Sequence, residues 1–405
     1  MATVSKSAAR RYLLSRLGFA AESPWRDELR GLDGTLTALK RLENIQIDPV
    51  NVIGRNQSLA VAQRVRAPGA GLDALLADRK VFEYTCGARF AYPIEDYPYF
   101  RFRMRQMAGY WQERLKTVQS AAEWVLRRLA TDGPLPSRAL ETEEKVQGFW
   151  DSEAATKATR HALDLLEEAG LVMTVRREGT ERHFGLPEDA VPQSLLAQAE
   201  CASLADWRDF IVTKYFRGHI LAHASDFRFG WVRIPAPEKQ RLLADWCASG
   251  KLVAFRVDGI KRVYYALAEH AAGLMATPAT AAAGETDGPV FIIPPLDNLL
   301  FQRDRLADLF DFRYTWEIYV PDSKRRYGPY TMPLLAGERL IGRLDARHDR
   351  PGAALVVNIL ELEPWVRPGK RLQRAIRAAV EQLARSVGAT VVSVPDRQRV
   401  AIEVE

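Results

Sequence analysis

The chain reads as an α+β protein of 405 residues in which three tandem winged-helix (helix-turn-helix) units stand ahead of a β-rich, barrel-like C-terminal domain. Three observations predict this. A Leu-Leu helical seam, a short stop and a β-prone run follow one another at residues 72–84, 163–175 and 242–255. A stretch of Ala, Thr, Gly and Pro over residues 273–288 has little periodicity and reads as a linker. Beyond it, apolar and polar residues alternate at the period of strands.

The first seam holds Leu75-Leu76, the second Leu165-Leu166 and the third Leu242-Leu243. Gly170 and Gly250 stop the second and third helices, because a helix C-terminus favours a residue free to take positive φ. In these two copies the β-run turns and returns. Residues 171–175 lead through Gly179 to 183–186, and residues 252–257 lead through Asp258-Gly259, a strong hairpin pair, to 263–267. Helical patterns at 120–130 and 204–216 supply an earlier helix to each unit. Helices followed by a basic-tipped hairpin spell the winged helix, a helix-turn-helix variant. The expected division is a first winged-helix unit over 1–115, a second over 116–192, a third over 193–272, the linker, and an α+β domain over 289–405. That last domain should hold strands at 313–320, 330–335, 339–346, 353–361 and 390–394, with one helix at 370–386.

Hydrophobic content of 47% suits folded domains with sizeable cores. Lys and Arg outnumber Asp and Glu by 57 to 51, a net charge of +6. The excess is modest, but Arg clusters at Arg101-Phe102-Arg103-Met104-Arg105, Arg176-Arg177 and Lys324-Arg325-Arg326. Wing tips that carry Arg176, Arg177, Arg182, Lys261 and Arg262, and a C-terminal turn that carries Lys324, Arg325 and Arg326, fit phosphate contacts on a duplex. Ordinary solvated surface would account for any single cluster equally well. Cys86, Cys201 and Cys247 stand far apart, which argues against a disulfide framework or a structural zinc site. His219 and His223 have the spacing of two ligands on one helix face, but no acidic partner accompanies them, so no metal and no cofactor is expected. No apolar run has the length of a signal peptide core or a membrane span, so a cytoplasmic monomer without membrane contact is expected.

One stretch stands apart. In Leu42-Glu43-Asn44-Ile45-Gln46-Ile47-Asp48-Pro49, an amide and a carboxylate flank one apolar residue inside a segment otherwise fit for a core. In extended backbone, residues two apart face the same way, so Gln46 and Asp48 would project together. A carboxylate beside an amide can hold a water and stabilise a positive centre. The competing reading makes Asp48 a helix N-cap with Pro49 as first helical residue.

Gln46-Ile47-Asp48 near the N-terminus, tandem winged helices and a β-rich C-terminal domain together resemble the winged-helix DNA glycosylases of the AlkX (YcaQ) and AlkZ type, the crosslink-repair glycosylases. The similar stretches are 42–55, Phe82-Glu83-Tyr84, Lys324-Arg325-Arg326-Tyr327-Gly328 and Gly342-Arg343-Leu344-Asp345-Ala346-Arg347, in the family's order along nearly the whole chain. The resemblance implies that Gln46 and Asp48 are a catalytic pair, with the acid in second place as in the AlkX branch. It implies excision of N-alkylated purines and unhooking of interstrand crosslinks from double-stranded DNA. One departure is plain: crosslink-repair members carry a Trp and a His after the Glu-Tyr pair, whereas here Thr85-Cys86-Gly87-Ala88-Arg89-Phe90 follows.

The chemistry suits so small a kit. An N7- or N3-alkylated purine is already cationic, so no strong acid need protonate the leaving base. The transition state is oxocarbenium-like, and a carboxylate such as Asp48 stabilises it or takes a proton from the attacking water. Gln46 donates and accepts at once, which suits orienting that water. No Lys lies in the motif to form a Schiff base, so a monofunctional hydrolase is expected. Asn51 and Arg55 follow closely and are candidates for the phosphate or abasic sugar, or are surface polarity only. Bulky crosslinks imply a shallow, open site. The alternative is a non-catalytic winged-helix DNA-binding protein or transcription regulator, in which Asp48 is only a cap.

Overall fold

The computed structural model describes residues 1–147, 155–198, 203–226, 234–279, 286, 288–393 and 399–400. Cys201, residues 280–285 and 287 of the expected linker, and residue 394 at the end of the expected last strand lie outside the described residues. The chain forms two compact units, one of Met1–Gly69 with Thr213–Glu405 and one of Ala70–Val212. Among the described residues no helix is long and apolar enough to cross a membrane.

The unit over residues 70–212 contains two helix-then-hairpin elements. Helix Gly71–Ala77 leads to strands Val81–Cys86 and Ala88–Pro93, which pair antiparallel from Val81 opposite Pro93 to Cys86 opposite Ala88. Gly87 makes this return possible, with φ of 73°. The sequence reading had a returning strand only in the second and third copies, so the first hairpin is an addition. Helix Ala158–Glu168 leads to strands Met173–Glu178 and Glu181–Gly185 around Gly179. An aromatic cluster packs Phe82, Tyr92 and Phe100 with Trp207, with Tyr92 and Phe100 centroids 4.4 Å apart and Phe100 edge-on to Trp207 at 5.1 Å. Beside it lies a buried ionic network. Arg89 grips both oxygens of Glu167 at 2.7 and 2.5 Å, Arg182 reaches the same carboxylate at 2.7 Å, and Arg177 grips Glu83 at 2.6 and 2.7 Å. Burial alone would raise the Glu167 carboxyl, but Arg89 and then Arg182 hold it well below the usual carboxylate range.

In the other unit, helix Ala236–Ala248 precedes the third hairpin, strands Leu252–Val257 and Tyr264–Leu267. The N-terminal strand Ala2–Val4 adds in parallel to this hairpin, Ala2 opposite Phe255 and Val4 opposite Val257, and Ala222–His223 pairs its other edge. His219 closes the preceding helix and Ile220 turns the chain with φ of 64°, so His219 and His223 do not share a helix face as their spacing suggested.

The C-terminal sheet runs in the order Val290–Ile292, Thr331–Ala336, Arg339–Asp349, Ala354–Leu362, Val391–Ser393, with Arg399–Val400 also paired to Ala354–Leu362. Bulges between Leu334 and Leu335 and between Asp345 and Ala346 increase its twist, so the sheet curls rather than lying flat. Helix Lys370–Ser386 covers the core with Ile376, Val380 and Leu383, against Met332, Leu344, Val357 and Leu360. The expected strand at 313–320 is not formed. Glu317–Tyr319 is a single 3-10 turn, because the buried Glu317 carboxylate accepts the backbone N–H groups of Arg326 and Tyr327 at 3.0 and 2.8 Å and Pro321 follows. The alternation of Tyr314, Trp316 and Ile318 belongs to a loop laid on the sheet.

Candidate active site

Helix Gly31–Leu42 delivers the chain to the Gln-Ile-Asp motif. It ends at Glu43, which sits in the left-handed region at φ 68°, an uncommon state for a residue with a Cβ. Neighbours hold that corner. Lys214, buried, donates to the Glu43 carboxylate at 2.6 Å, and Asn298 Nδ2 donates to the Leu42 carbonyl at 3.0 Å. Gly218 lies so close that a Cβ there would stand 2.7 Å from the same carbonyl oxygen. The short strand Ile45–Gln46 follows, with Ile45 buried.

Gln46 and Asp48 are tethered to consecutive residues of one helix, Asn56–Ala62. Asn56 Nδ2 donates to the Gln46 carbonyl at 3.0 Å, and the Asp48 N–H donates to Gln57 Oε1 at 3.4 Å. The cap reading is overturned: the helix starts at Asn56 with Arg55 as its N-cap, and Asp48 lies upstream, past the end of the strand Ile45–Gln46. Asp48 Oδ1 instead accepts the Val50 N–H at 2.8 Å, a local turn of the kind Asp favours. Among the described residues no donor reaches its other oxygen. Asp48 is half-buried, and desolvation raises its carboxyl above the usual range while the Val50 N–H pulls the other way. The Gln46 side-chain oxygen is buried with no partner among the described residues, and so is Asn44 Nδ2 two residues earlier. Unsatisfied buried groups of this kind mark places where water or a ligand completes the bonding.

The following loop is sewn to the curled sheet. The Val52 carbonyl accepts from His348 N–H at 3.0 Å, the Gly54 carbonyl from the Tyr330 hydroxyl at 3.3 Å, and Ile53 is buried in the sheet's core. Tyr330 is itself fixed through its N–H to Asp345 Oδ1 at 2.7 Å. Burial first, and then the negative charge of Asp48, push the Tyr330 hydroxyl up, so it remains a neutral donor beside the carboxylate. Asp345 is buried too, and desolvation raises it against the hydrogen bonds from Asn358 and Tyr330.

The remaining predicted residues separate by position. Asn51 is exposed and its side-chain oxygen accepts from Arg350 at 2.7 Å, while Arg55 supplies the backbone that starts the helix. Lys324 and Arg326 are exposed, Arg326 lying over the Tyr327 ring. Arg325 turns inward to the carbonyls of Glu317 and Val320 at 3.1 and 2.8 Å. Lys261 is exposed, but Arg262 pairs with Asp308 and Asp304. In the other unit Arg176 is exposed with Glu178 at 3.3 Å, whereas Arg177 and Arg182 belong to the carboxylate network. Sequence reasoning missed Asn56, Gln57 and Tyr330. Asn56-Gln57 at the head of the apolar run Leu59-Ala60-Val61-Ala62 was a signal, since amides beside an apolar seam are often buried to bond backbone.

The family model for AlkZ-like DNA glycosylases matches residues 39–386, a span that includes Gln46, Asp48 and the loop at 324–328. The chain belongs to that family. The structure of the Streptomyces sahachiroi DNA glycosylase AlkZ superposes with a TM-score of 0.63 at 16% identity, covering 97% of this chain and 99% of that one. The two share a fold from end to end, including the helix-rich body and the curled C-terminal sheet.

Proposed function

We propose that this DNA glycosylase hydrolyses the N-glycosidic bond of N7- or N3-alkylated purines in double-stranded DNA, acts as a monofunctional monomer, unhooks interstrand crosslinks, and uses Asp48 and Gln46 as its catalytic pair. The observation that carries the reading is the state of Asp48. One carboxylate oxygen accepts the Val50 N–H, no donor among the described residues reaches the other, the group is half-buried, and two residues earlier the Gln46 side-chain oxygen is buried without a partner among the described residues.

In this mechanism the bond between C1′ and the purine nitrogen breaks with its electron pair leaving on the base, which neutralises the base's positive charge. The sugar gains oxocarbenium character, and the Asp48 carboxylate faces that charge from a site of reduced water content, where electrostatic stabilisation is strong. Water adds to C1′, and its proton passes to Asp48. Gln46 accepts from that water and holds it in line. The elevated Asp48 carboxyl favours proton uptake relative to an exposed Asp. Of the cations expected at the DNA, Lys324, Arg326, Lys261 and Arg176 are exposed and remain the candidates for phosphate contact, and Asn51, held by Arg350, lies three residues past Asp48. The departure over Thr85–Phe90 makes the adduct range a separate question from the bond cleaved.

The test is base release from duplexes that carry a site-specific N7-alkylguanine or a nitrogen-mustard crosslink, with strand cleavage read after alkali. Wild type should leave an alkali-labile abasic site and no cleaved strand without alkali. Strand cleavage without alkali would refute the monofunctional assignment.

A further inference from the structure

We infer that Tyr319, backed by Trp316, is an aromatic wedge that stacks on a nucleobase next to the damaged nucleotide. This rests on the glycosylase reading of Asp48 and adds a residue that positions its substrate.

Tyr319 is 78% exposed, the most exposed large apolar side chain among the described residues. An isolated exposed tyrosine is ordinary, but this one begins a row of rings that runs inward. Tyr319 meets Trp316 edge-on at 5.7 Å, and Trp316 meets Tyr330 edge-on at 6.0 Å. Tyr330 is the buried ring whose hydroxyl donates to the Gly54 carbonyl, six residues past Asp48. Tyr319 therefore stands two ring contacts from the ring that holds the loop after Asp48.

The row is held rigidly. Arg325 donates to the carbonyls of Glu317, Ile318 and Val320, on both sides of Tyr319, and the Glu317 carboxylate accepts the N–H groups of Arg326 and Tyr327. The indole N–H of Trp316 is buried with no partner among the described residues. A preorganised exposed ring binds with little loss of side-chain entropy. Lys324 and Arg326 on the same loop are both exposed and put positive charge around it. A π-face framed by negative charge is the chemistry of a base within its phosphate backbone. Bases in a duplex are stacked, so access to the glycosidic bond requires that the stack open, and apolar wedges between base steps do this elsewhere. Base–aromatic stacking is sequence-tolerant, which suits an enzyme that must read damage and not sequence.

The full-length protein, Tyr319→Ala and Tyr319→Phe are titrated with a duplex bearing a 2′-fluoro-stabilised N7-methylguanine beside 2-aminopurine, whose fluorescence rises on unstacking. Single-turnover release is measured separately with the unfluorinated lesion, and affinity for undamaged duplex is the control. Tyr319→Ala should lose the fluorescence rise and slow release by about tenfold or more, with undamaged-duplex affinity within about threefold of wild type. Tyr319→Phe should restore both. A wild-type rise retained in Tyr319→Ala overturns the wedge, and so does a loss that Tyr319→Phe fails to rescue. If wild type releases no base, the glycosylase reading fails by itself, and the fluorescence arm still decides whether Tyr319 opens the stack.

Discussion

Asn56 makes the most of its two hydrogen bonds, and replacing it tests how the motif is held. Its side chain is 2% exposed, donates to the Gln46 carbonyl at 3.0 Å and accepts from the Leu296 N–H at 3.1 Å. Asn56→Ala leaves a carbonyl and an N–H inside the protein without partners. Each such orphan costs about 1–3 kcal/mol, so the pair costs about 2–6 kcal/mol. Alanine's better helix propensity returns only about 0.5 kcal/mol, so the loss wins. A cost in that range is a large part of the roughly 5–15 kcal/mol that holds a typical domain folded. Asn56→Asp keeps the acceptor for Leu296 but turns an anion toward the Gln46 carbonyl, and should cost at least as much. Urea unfolding followed by circular dichroism gives the stability change. Single-turnover base release at a temperature where each variant is folded gives the catalytic one. Release should fall while duplex affinity holds, because the strand bearing Gln46 loses its tether. An unchanged urea midpoint together with an unchanged rate would refute the tether.

Arg64 and Asp297 form a fully buried bidentate pair at 2.6 and 2.9 Å, and Arg64 Nε also donates to the Leu17 carbonyl at 2.7 Å. Arg64→Met should cost about 3–5 kcal/mol by stranding the Asp297 charge, and Arg64→Met with Asp297→Leu should cost less than the sum of the single changes by about 2 kcal/mol or more; additive urea midpoints would contradict this. Gly328 has φ of 95°, and a Cβ there would stand 2.7 Å from both Asp345 carboxylate oxygens, so Gly328→Ala should destabilise by about 2–4 kcal/mol. Gly250→Ala, with φ of 76° and open space around it, should cost about 1–2 kcal/mol; equal losses at the two sites would show that the Asp345 contact does not matter. For pH, burial raises the folded-state Asp48 carboxyl above its unfolded value. The folded state then binds the proton more tightly, so this group's contribution to stability is greatest below the unfolded pKa and declines as pH rises through the window up to the folded one. Asp48→Asn should therefore gain on wild type in stability across that window, and the acid limb of wild-type kcat/KM should lie above the range of an exposed Asp; a limb at the exposed-Asp value would contradict burial as the cause.

The helix-then-hairpin repeat was legible because its signals are local: Leu-Leu seams, Gly170 and Gly250 at helix ends, Asp258-Gly259 at a turn. The amphipathic pattern of helix Lys370–Ser386 gave its bounds directly. What escaped depends on distant partners. Arg177 and Arg182 look like phosphate ligands until Glu83, 94 positions from Arg177, and Glu167 are seen beside them. Alternation over 313–320 resembles a strand, yet Glu317 is spent on N–H groups nine and ten residues ahead. The first hairpin was missed because Gly87 alone carries its turn. At the motif itself, both the extended and the capping readings of Asp48 were locally sound. The helix start at Asn56, eight positions on from Asp48, removes the capping reading, and nothing within the motif announces the burial of Asn56 and Gln57.

The most direct measurement is single-turnover release of N7-alkylguanine from duplex DNA by wild type and Asp48→Asn, each at protein concentrations well above its measured duplex affinity. If Asp48 stabilises the sugar cation and takes the water's proton, release falls by about 10²–10⁴-fold while affinity for the duplex is kept. Release by Asp48→Asn at the wild-type rate would remove Asp48 from the chemistry, and no release by wild type with DNA still bound would favour a protein that binds DNA without cutting the glycosidic bond.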